Sequence, residues 1–344
     1  MKKRTSIIDG IVFAINVLIA FLLVMSCLSS YLTFQAIPVF SILSLIVPLV
    51  FGLNLLFAAY WIFKRKRKFL WSFIALLLGY LAFGPFYGMG NESEEVKDSD
   101  LKIMTYNARG FDKFGWSKDP NTGNEIVAFI KKENPDIICI QEHSRIRHRQ
   151  LKQYPYRSET PYSETKSVQA VFSKYPIVSN GSLDLPGTAN GIIYADIVHK
   201  EDTIRFYNMH LQSFRIVPSA KTFSDGEESE RNYKRLISTF KKQMEQAKTF
   251  DDHIKNSPYL NVVCGDFNNT QFSNVYRIVK GDLNDTFLEK GSGFGRTYDL
   301  WKIPLRIDYI LTDSNFEVIS HKNFNEKLSD HYPVMATLRL SSEE

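Results

Sequence analysis

Polar side chains that could carry acid–base or metal chemistry recur in this chain at the ends of short apolar runs. Runs of four to eight residues that are rich in β-branched side chains are typical of buried strands. Asp266 and Asn268 follow one such run, 260–265, and residues two apart on an extended strand point to the same side. Taken alone, this pair is at least as typical of a polar turn that caps a core strand as it is of a functional site. Similar positions beside other apolar runs hold Asn107, Glu142, His210, Asp308, Asp330 and His331.

These residue types favour one kind of chemistry. The set contains carboxylates, amides and two histidines but no cysteine. Ligands rich in oxygen suit Mg²⁺, Mn²⁺ or Ca²⁺ better than zinc. A hard divalent ion, carboxylates and a histidine base are what phosphoester hydrolysis needs, since the ion neutralises the phosphate while the base aligns and deprotonates a water molecule. Loops at one edge of a rigid scaffold are where such sites are usually built.

The elements that must position these residues are mostly strands. Apolar runs predict strands over 101–106, 136–141, 170–172, 192–198, 203–209, 260–265, 306–311 and 334–340. Helical spacing predicts helices over 125–133, which stops before a proline, and from about 228 to 248. Because helices fall between pairs of strands, we expect an α/β sandwich whose two sheets pack face to face under outer helices.

The first quarter of the chain has a different character. Three uncharged apolar stretches cover 10–28, 39–63 and 69–89. About 20 apolar residues in a helix cross the roughly 30 Å core of a bilayer. We therefore expect residues 1–90 to form a membrane anchor of three transmembrane helices.

Basic residues give the expected orientation. Lys2, Lys3 and Arg4 precede the first stretch and the run 64–68 lies between the second and third, whereas 29–38 has no Lys or Arg. Basic loops stay in the cytoplasm. The expectation is a multi-pass protein of the cell (inner) membrane with its catalytic domain outside the cytoplasm. The first stretch would also suit a cleaved signal peptide, or a lipoprotein site at Cys27, and both leave that domain on the same side.

The charge of the remaining chain limits its partners. An acidic linker is predicted over 91–100, and 91–344 holds 34 of the 42 basic and 36 of the 37 acidic residues, a balance of −2. The strongly basic footprint of a dedicated nucleic-acid binder is missing from this part. Cys27, Cys139 and Cys264 each lie in an apolar run and are expected to be buried thiols.

Several short motifs together resemble a known family. They are Thr105-Tyr106-Asn107, Gln141-Glu142, Asn208-Met209-His210-Leu211, Gly265-Asp266-Phe267-Asn268, Arg306-Ile307-Asp308-Tyr309-Ile310 and Ser329-Asp330-His331-Tyr332-Pro333. Their order over roughly 101–340 is similar to that of the deoxyribonuclease I-like endonuclease/exonuclease/phosphatase superfamily, which includes abasic-site endonucleases, neutral sphingomyelinases and inositol polyphosphate 5-phosphatases. The resemblance implies an α+β fold, a four-layer αββα sandwich of two mixed β-sheets over 101–344, preceded here by three transmembrane helices.

The resemblance also implies a metal site. Glu142 would be the main ligand of Mg²⁺ (or Mn²⁺), with Asn107 and Asp330 close by, and the family is divided between one ion and two. Asp266 and Asn268 would position the nucleophile and bind phosphoryl oxygens, or hold a second ion.

The remaining implied roles concern the water and the substrate. His331 would activate or orient the attacking water, and Asp308 would hold that imidazole in its tautomer. His210 would stabilise the transition state and contact the substrate together with Asn268 and Arg109. Arg109 stands where abasic-site enzymes carry an acidic residue, which argues against a function in the repair of abasic sites.

Two functions of different classes are compatible with these residues. The first is a membrane-anchored, metal-dependent phosphoesterase that hydrolyses a phosphodiester (or a phosphomonoester). It would act as a phosphodiesterase on phospholipid or sphingolipid headgroups, or as an extracytoplasmic nuclease. The second is a catalytically idle binding module. The 213–235 excursion is the predicted place of substrate selection. The basic run 143–152 suits either a phosphate backbone or a solvated helix face, and Tyr154, Tyr156 and Tyr162 are candidate catalytic tyrosines.

Overall fold

The fold is seen in a computed structural model, which describes residues 7–31, 39–90, 94–164, 166–214, 226–300 and 303–341. Contacts divide the chain into two compact units. The first comprises residues 1–86, 219–241 and 270–277, and the second comprises 87–218, 242–269 and 278–344. In this division the second unit begins at Tyr87.

The first unit is built on three apolar helices, α1 (Ile7–Tyr31), α2 (Val39–Phe63) and α3 (Phe69–Phe83). Among the described residues, Ile7–Tyr31 and Ser41–Phe63 are long and apolar enough to cross a bilayer, by length and composition alone. The third helix ends at Phe83 and not at 89, because Gly84 takes a positive φ and Pro85 follows it. Its 15 residues rise only about 22 Å.

Polar residues join these helices internally. Asn16 donates from Nδ2 to Ser72 Oγ (2.6 Å) and accepts from Trp61 Nε1 (2.8 Å). Asp9 is buried and pairs with Lys64 and Lys66 of the basic turn. The basic turn after α2 is therefore held against the start of α1.

The second unit contains two six-stranded mixed sheets among its described residues. Their strands are β2 (Leu101–Asn107), β3 (Ile137–Gln141), β4 (Tyr156–Glu159), β5 (Ala170–Ser173), β6 (Ile177–Ser182), β7 (Gly191–His199), β8 (Asp202–His210), β9 (Leu260–Asp266), β10 (Asn284–Asp285), β14 (Asp308–Thr312), β15 (Phe316–Asn323) and β16 (Val334–Leu340). The strand order is β15-β16-β2-β3-β5-β4 in the first sheet and β10-β14-β9-β8-β7-β6 in the second. The parallel pairs are β2/β3 and β8/β9.

The remaining elements are short, apart from two helices. They are β1 (Gly88–Met89), β11 (Ser292–Gly293), β12 (Tyr298–Leu300), β13 (Ile303–Leu305), α4 (Thr122–Glu133), α5 (Gly226–Ile254), α6 (Asn274–Lys280), α7 (Thr286–Lys290) and the 3₁₀ turns Arg109–Asp112 and Arg145–Gln150.

Successive side chains of a strand point to opposite faces of its sheet, so each sheet packs against a different layer on each face. Leu101 and Ile103 of β2 enter a core between the sheets, whereas Met104 and Tyr106 point to the other face, where α4 covers them. On the far side, Phe250 of α5 packs on Tyr207 of β8. The predicted αββα sandwich of two mixed sheets, preceded by apolar helices, is confirmed.

Two further contacts shape the second unit. The described part of the acidic linker packs on the sandwich, since buried Asp100 accepts two hydrogen bonds from Arg339 (2.9 and 3.0 Å). Gly265 has φ +143°, and a Cβ there would collide with the carbonyl of Met209 on the parallel strand beside it. Glycine is therefore required where β8 and β9 approach most closely.

Candidate active site

The strand register brings the candidate residues to one edge of the sandwich. Asn107 ends β2 and lies opposite Gln141, the residue before Glu142, in the parallel pair β2/β3. His210 and Asp266 end β8 and β9 as direct partners, and Asp308 begins β14 opposite Asp266. Asp330 and His331 precede β16, whose first residues pair with the end of β2. Both sheets thus contribute to one site.

Asp266 lies at the centre of the site. Its buried carboxylate accepts hydrogen bonds from the Asn268 backbone N–H (2.8 Å) and from Asn107 Nδ2 (3.1 Å). The Nε2 atoms of His210 and His331 each lie 3.6 Å from Asp266 Oδ2. The side-chain amide of Asn268 instead donates to the carbonyl of Leu211 (3.0 Å). Asn268 therefore contacts Asp266 through its backbone N–H.

His331 and Asp308 form a buried pair. His331 Nδ1 donates to Asp308 Oδ2 (2.9 Å), which orients the ring and leaves Nε2 facing Asp266. Burial alone would lower the pKa of His331, but the Asp308 and Asp266 carboxylates outweigh it and raise that pKa to about 10. The imidazole is therefore protonated at neutral pH.

His210 has the opposite character. Burial lowers its pKa below the usual value, and the nearby Asp266 only partly offsets this effect. The ring is neutral at pH 7, so its 3.6 Å contact with Asp266 is not an ion pair. The site thus holds one charged and one neutral histidine on either side of a single carboxylate.

Glu142 occupies a strained position at the other side of the site. Its φ is +49°, an unusual value for a residue other than glycine, and such strain is concentrated at functional sites. Its carboxylate lies 3.5 Å from Asn107 Nδ2, and burial raises its pKa. The next residue, His143, is buried between the rings of Phe111 and Phe172.

Arg109 and Asp330 are more exposed than the rest. Arg109 Nε lies 3.5 Å from Asp330 Oδ2, and its guanidinium stacks over Trp116 at 4.8 Å from the ring centroid. Ser329 Oγ donates to the carbonyl of Asn107 (2.9 Å) and lies 3.1 Å from Asp330 Oδ1, which ties this loop to the end of β2.

The donor set fits a hard divalent cation. Four carboxylates, those of Glu142, Asp266, Asp308 and Asp330, meet only two positive groups in this set, His331 and Arg109. Burial also raises the pKa of both Glu142 and Asp266, because desolvation disfavours the charged form of each carboxyl group. Asp266, Asp308 and His331 each offer one atom within 4.8 Å of the others.

Several residues near the site had no assigned role in the sequence. Thr297 Oγ1 accepts from the backbone N–H groups of Ile307 (2.9 Å) and Asp308 (3.1 Å), and the ring of Tyr298 lies 5.0 Å from that of His331. The strand β12 that carries Tyr298 is only three residues long, too short to give a periodic signal.

The candidate tyrosines lie elsewhere. Tyr154 is buried and donates to the carbonyl of Pro135 (2.9 Å), Tyr156 is on the edge strand β4, and the ring of exposed Tyr162 lies beneath Arg145. The basic run is partly the 3₁₀ turn Arg145–Gln150 on the surface. Residues 215–225 of the predicted substrate-selecting excursion lie outside the described part of the chain.

Solved structures with the same fold were found by comparison. A humanised TDP2 of D. rerio has a TM-score of 0.54 at 15% identity, covering 70% of this chain and 100% of that chain. A D. rerio TDP2 complexed with single-strand DNA product has a TM-score of 0.53 at 16% identity, covering 70% of this chain and 100% of that chain. An endonuclease/exonuclease/phosphatase from Bacteroides vulgatus has a TM-score of 0.51 at 17% identity, covering 71% of this chain and 100% of that chain. At these identities the likeness shows the fold alone.

Family models match both the apolar N-terminal part of the chain and the sandwich that follows it. No curated protein matches the chain. A family model described as a domain of unknown function matches residues 9–86, the apolar helices. The model of the endonuclease/exonuclease/phosphatase family matches residues 104–331, two thirds of the chain, from β2 to His331. The chain therefore belongs to the endonuclease/exonuclease/phosphatase family.

Proposed function

We propose that this protein is a membrane-anchored, divalent-metal-dependent phosphoesterase that hydrolyses a phosphodiester by attack of water, outside the cytoplasm. The observation that carries the proposal is the environment of Asp266. Asn107, Asn268, His210 and His331 surround one buried carboxylate at the edge where both sheets meet. Proton acceptor, charge stabiliser and oxygen ligands are then within reach of one phosphoryl group.

Glu142 would hold Mg²⁺ (or Mn²⁺), with Asn107 and Asp330 beside it. The bound ion would neutralise phosphate charge and that of the leaving oxygen. One ion or two would suit this donor set.

The histidines support a division of roles that differs in one respect from the sequence-based expectation. A protonated His331 donates and does not accept, so it stabilises negative charge on a phosphoryl oxygen. Asp266, whose carboxyl pKa is raised by burial, is the better acceptor of the water proton. Asp308 stabilises the imidazolium, and Arg109 and neutral His210 contact the ester.

The substrate class divides the proposal in two. The apolar helices and the balance of −2 in residues 91–344 favour a phosphodiester in a lipid headgroup. The alternative, a nuclease, has as its support the DNA product named with the D. rerio TDP2 structure of the same fold. The remaining alternative, a catalytically idle binding module, is less well supported, because the residues around Asp266 form a complete cluster.

The test is a paired substrate assay on the full chain in vesicles. Headgroup-labelled phospholipid and single-stranded DNA are each offered with Mg²⁺ and with EDTA. The proposal expects turnover of the lipid that stops in EDTA. Turnover of DNA alone would favour the nuclease, and no turnover of any phosphoester by a chain that binds Mg²⁺ would favour the binding module.

A further inference from the structure

The loop that follows β2 carries two aromatic side chains directed into solvent. Residues 109–118, here called the aromatic loop, begin at Arg109 of the candidate site. Phe111 points inward and is buried in the core beneath α4. Phe114 and Trp116, by contrast, are 70% and 60% exposed. Large apolar side chains that cluster at an exposed tip mark an interaction surface.

The loop is an ordered structure with many internal contacts. Gly110 and Gly115 take positive φ, as do Arg109, Phe111 and Asp112. Asp112 Oδ1 accepts from the Ser117 N–H (2.9 Å), and the Asp112 carbonyl accepts from the Gly115 N–H (3.0 Å). Hydrogen bonds therefore brace the backbone that carries the two aromatic rings.

One cation contacts each of the two rings. The Arg109 guanidinium covers one face of Trp116, Lys113 Nζ lies 5.5 Å from the centroid of the Phe114 ring, and Lys118 is exposed. Aromatic rings flanked by Lys and Arg are the composition of a lipid interface, where the rings enter the headgroup layer and the cations meet phosphates.

A cavity connects this loop with the candidate site. It has a volume of about 280 Å³ and is lined by Arg109, Asp112 and Trp116 on one side and by Lys327 and Asp330 on the other. Anything held at the aromatic loop is thus next to Asp330 and Arg109.

We propose that the aromatic loop inserts Phe114 and Trp116 into the headgroup region of the bilayer, and that the cavity receives a lipid phosphoester there. A nucleic acid is the less suitable partner for two reasons. One face of Trp116 is already covered by Arg109, and Phe114 stands at 67° to Trp116, so the rings offer no parallel platform for stacked bases. The second unit also lacks a basic excess. Membrane contact is independent of the proposed hydrolysis, whereas the lipid substrate rests on it.

Fluorescence of Trp116 tests the insertion without any need for activity. The chain has four tryptophans, so the Trp116 signal is the difference between wild type and Trp116→Phe. Both full-length proteins are reconstituted in phosphatidylcholine vesicles with one third phosphatidylglycerol, with and without lipids brominated near the headgroup end of the acyl chain. Insertion predicts a blue-shifted difference signal that brominated lipid quenches at least twofold and that aqueous acrylamide barely reaches. A signal quenched by acrylamide and unchanged by brominated lipid would overturn the proposal. So would a signal that only single-stranded DNA quenches, which would assign the loop to nucleic acid.

Kinetics separate this inference from the proposed function. Phe114→Ser, at a ring outside the cavity lining, should raise KM for vesicle lipid about tenfold and leave kcat on soluble bis(p-nitrophenyl) phosphate unchanged. Tyr162→Ser is the matched control, since Tyr162 is 81% exposed outside this loop. An equal rise of KM in both variants would contradict the proposal. If no phosphoester is cleaved at all, the proposed function fails while the fluorescence result still decides the insertion.

Discussion

Asn208 should support the active site without touching it. Its side chain, fully buried in β8, donates to the carbonyls of Ile140 (3.0 Å) and Ala170 (2.9 Å) on the opposite sheet. It also accepts from Gln141 Nε2 (2.7 Å). Gln141 precedes Glu142 and Asn208 lies two residues before His210, so these three bonds fix the distance between the parts of the site that the two sheets carry.

Replacement of Asn208 by Ala removes all three bonds. At about 0.5–1.5 kcal/mol each, the loss of stability is roughly 3 kcal/mol. For a unit of this size that corresponds to a fall in melting temperature of about 6–12 °C. If Glu142 shifts by about 1 Å relative to Asp266, kcat/KM falls by about 10²-fold, mainly through kcat. Near-UV circular dichroism and steady-state kinetics well below the melting temperature measure the two effects.

Asn261→Ala is the matched control. Asn261 is also buried, at the beginning of β9, and donates from Nδ2 to Asp313 Oδ2 (3.1 Å) at the end of the strand remote from Asp266. We expect it to lose stability but keep kcat. An Asn208→Ala variant with full kcat, or an Asn261→Ala variant equally impaired in kcat, would refute the positioning role.

Three further predictions concern the Asp266 cluster. Asp308→Asn should lower kcat by about 10²–10⁴-fold with little change in KM, because the imidazolium loses its partner; unchanged kcat would contradict this. Asn107→Ala should weaken activation by Mg²⁺ about 10–100-fold, because its amide orients Asp266 and faces Glu142; the Mg²⁺ dependence of the rate measures this, and an unaltered half-saturation would argue against it. The pKa of His331, raised to about 10, stabilises the folded state fully below pH 6.5, and that contribution is lost as pH rises through about 10. Melting temperatures in EDTA from pH 6 to 11 should therefore decline more steeply at the alkaline end for wild type than for His331→Gln.

Much of the architecture could be predicted because the signals are local. The central strands β2, β3, β8, β9 and β14 each have a two-residue alternation or a short apolar run, and β16 has the predicted bounds 334–340. The sequence patterns predict no strand for β4, β10 or β15, which lie at the sheet edges. The polar residue at the end of each run is visible in the same pattern. The strands β8 and β9 are parallel neighbours that end at the same level. His210 and Asp266, which end these two strands, are therefore paired in the register.

Other features depend on contacts that no local pattern reveals. The strained φ of Glu142 and the second bond partner of Asn268 arise from tertiary packing. The acidic stretch before β2 looked like a solvated linker, yet Asp100 is buried because Arg339, 239 residues later, neutralises it. Tyr298 reaches His331 from a strand too short to predict.

The most direct test of the account is the rate of Mg²⁺-dependent phosphodiester hydrolysis by the full-length protein compared with its Asp266→Asn variant. This change keeps the size of the side chain but removes the carboxylate around which the site is arranged. We predict that kcat falls by at least about 10³-fold while the melting temperature in EDTA stays within a few degrees, since the buried Asp266 charge is costly in the metal-free fold. Retention of the wild-type rate by Asp266→Asn would contradict the central claim that this carboxylate activates the attacking water.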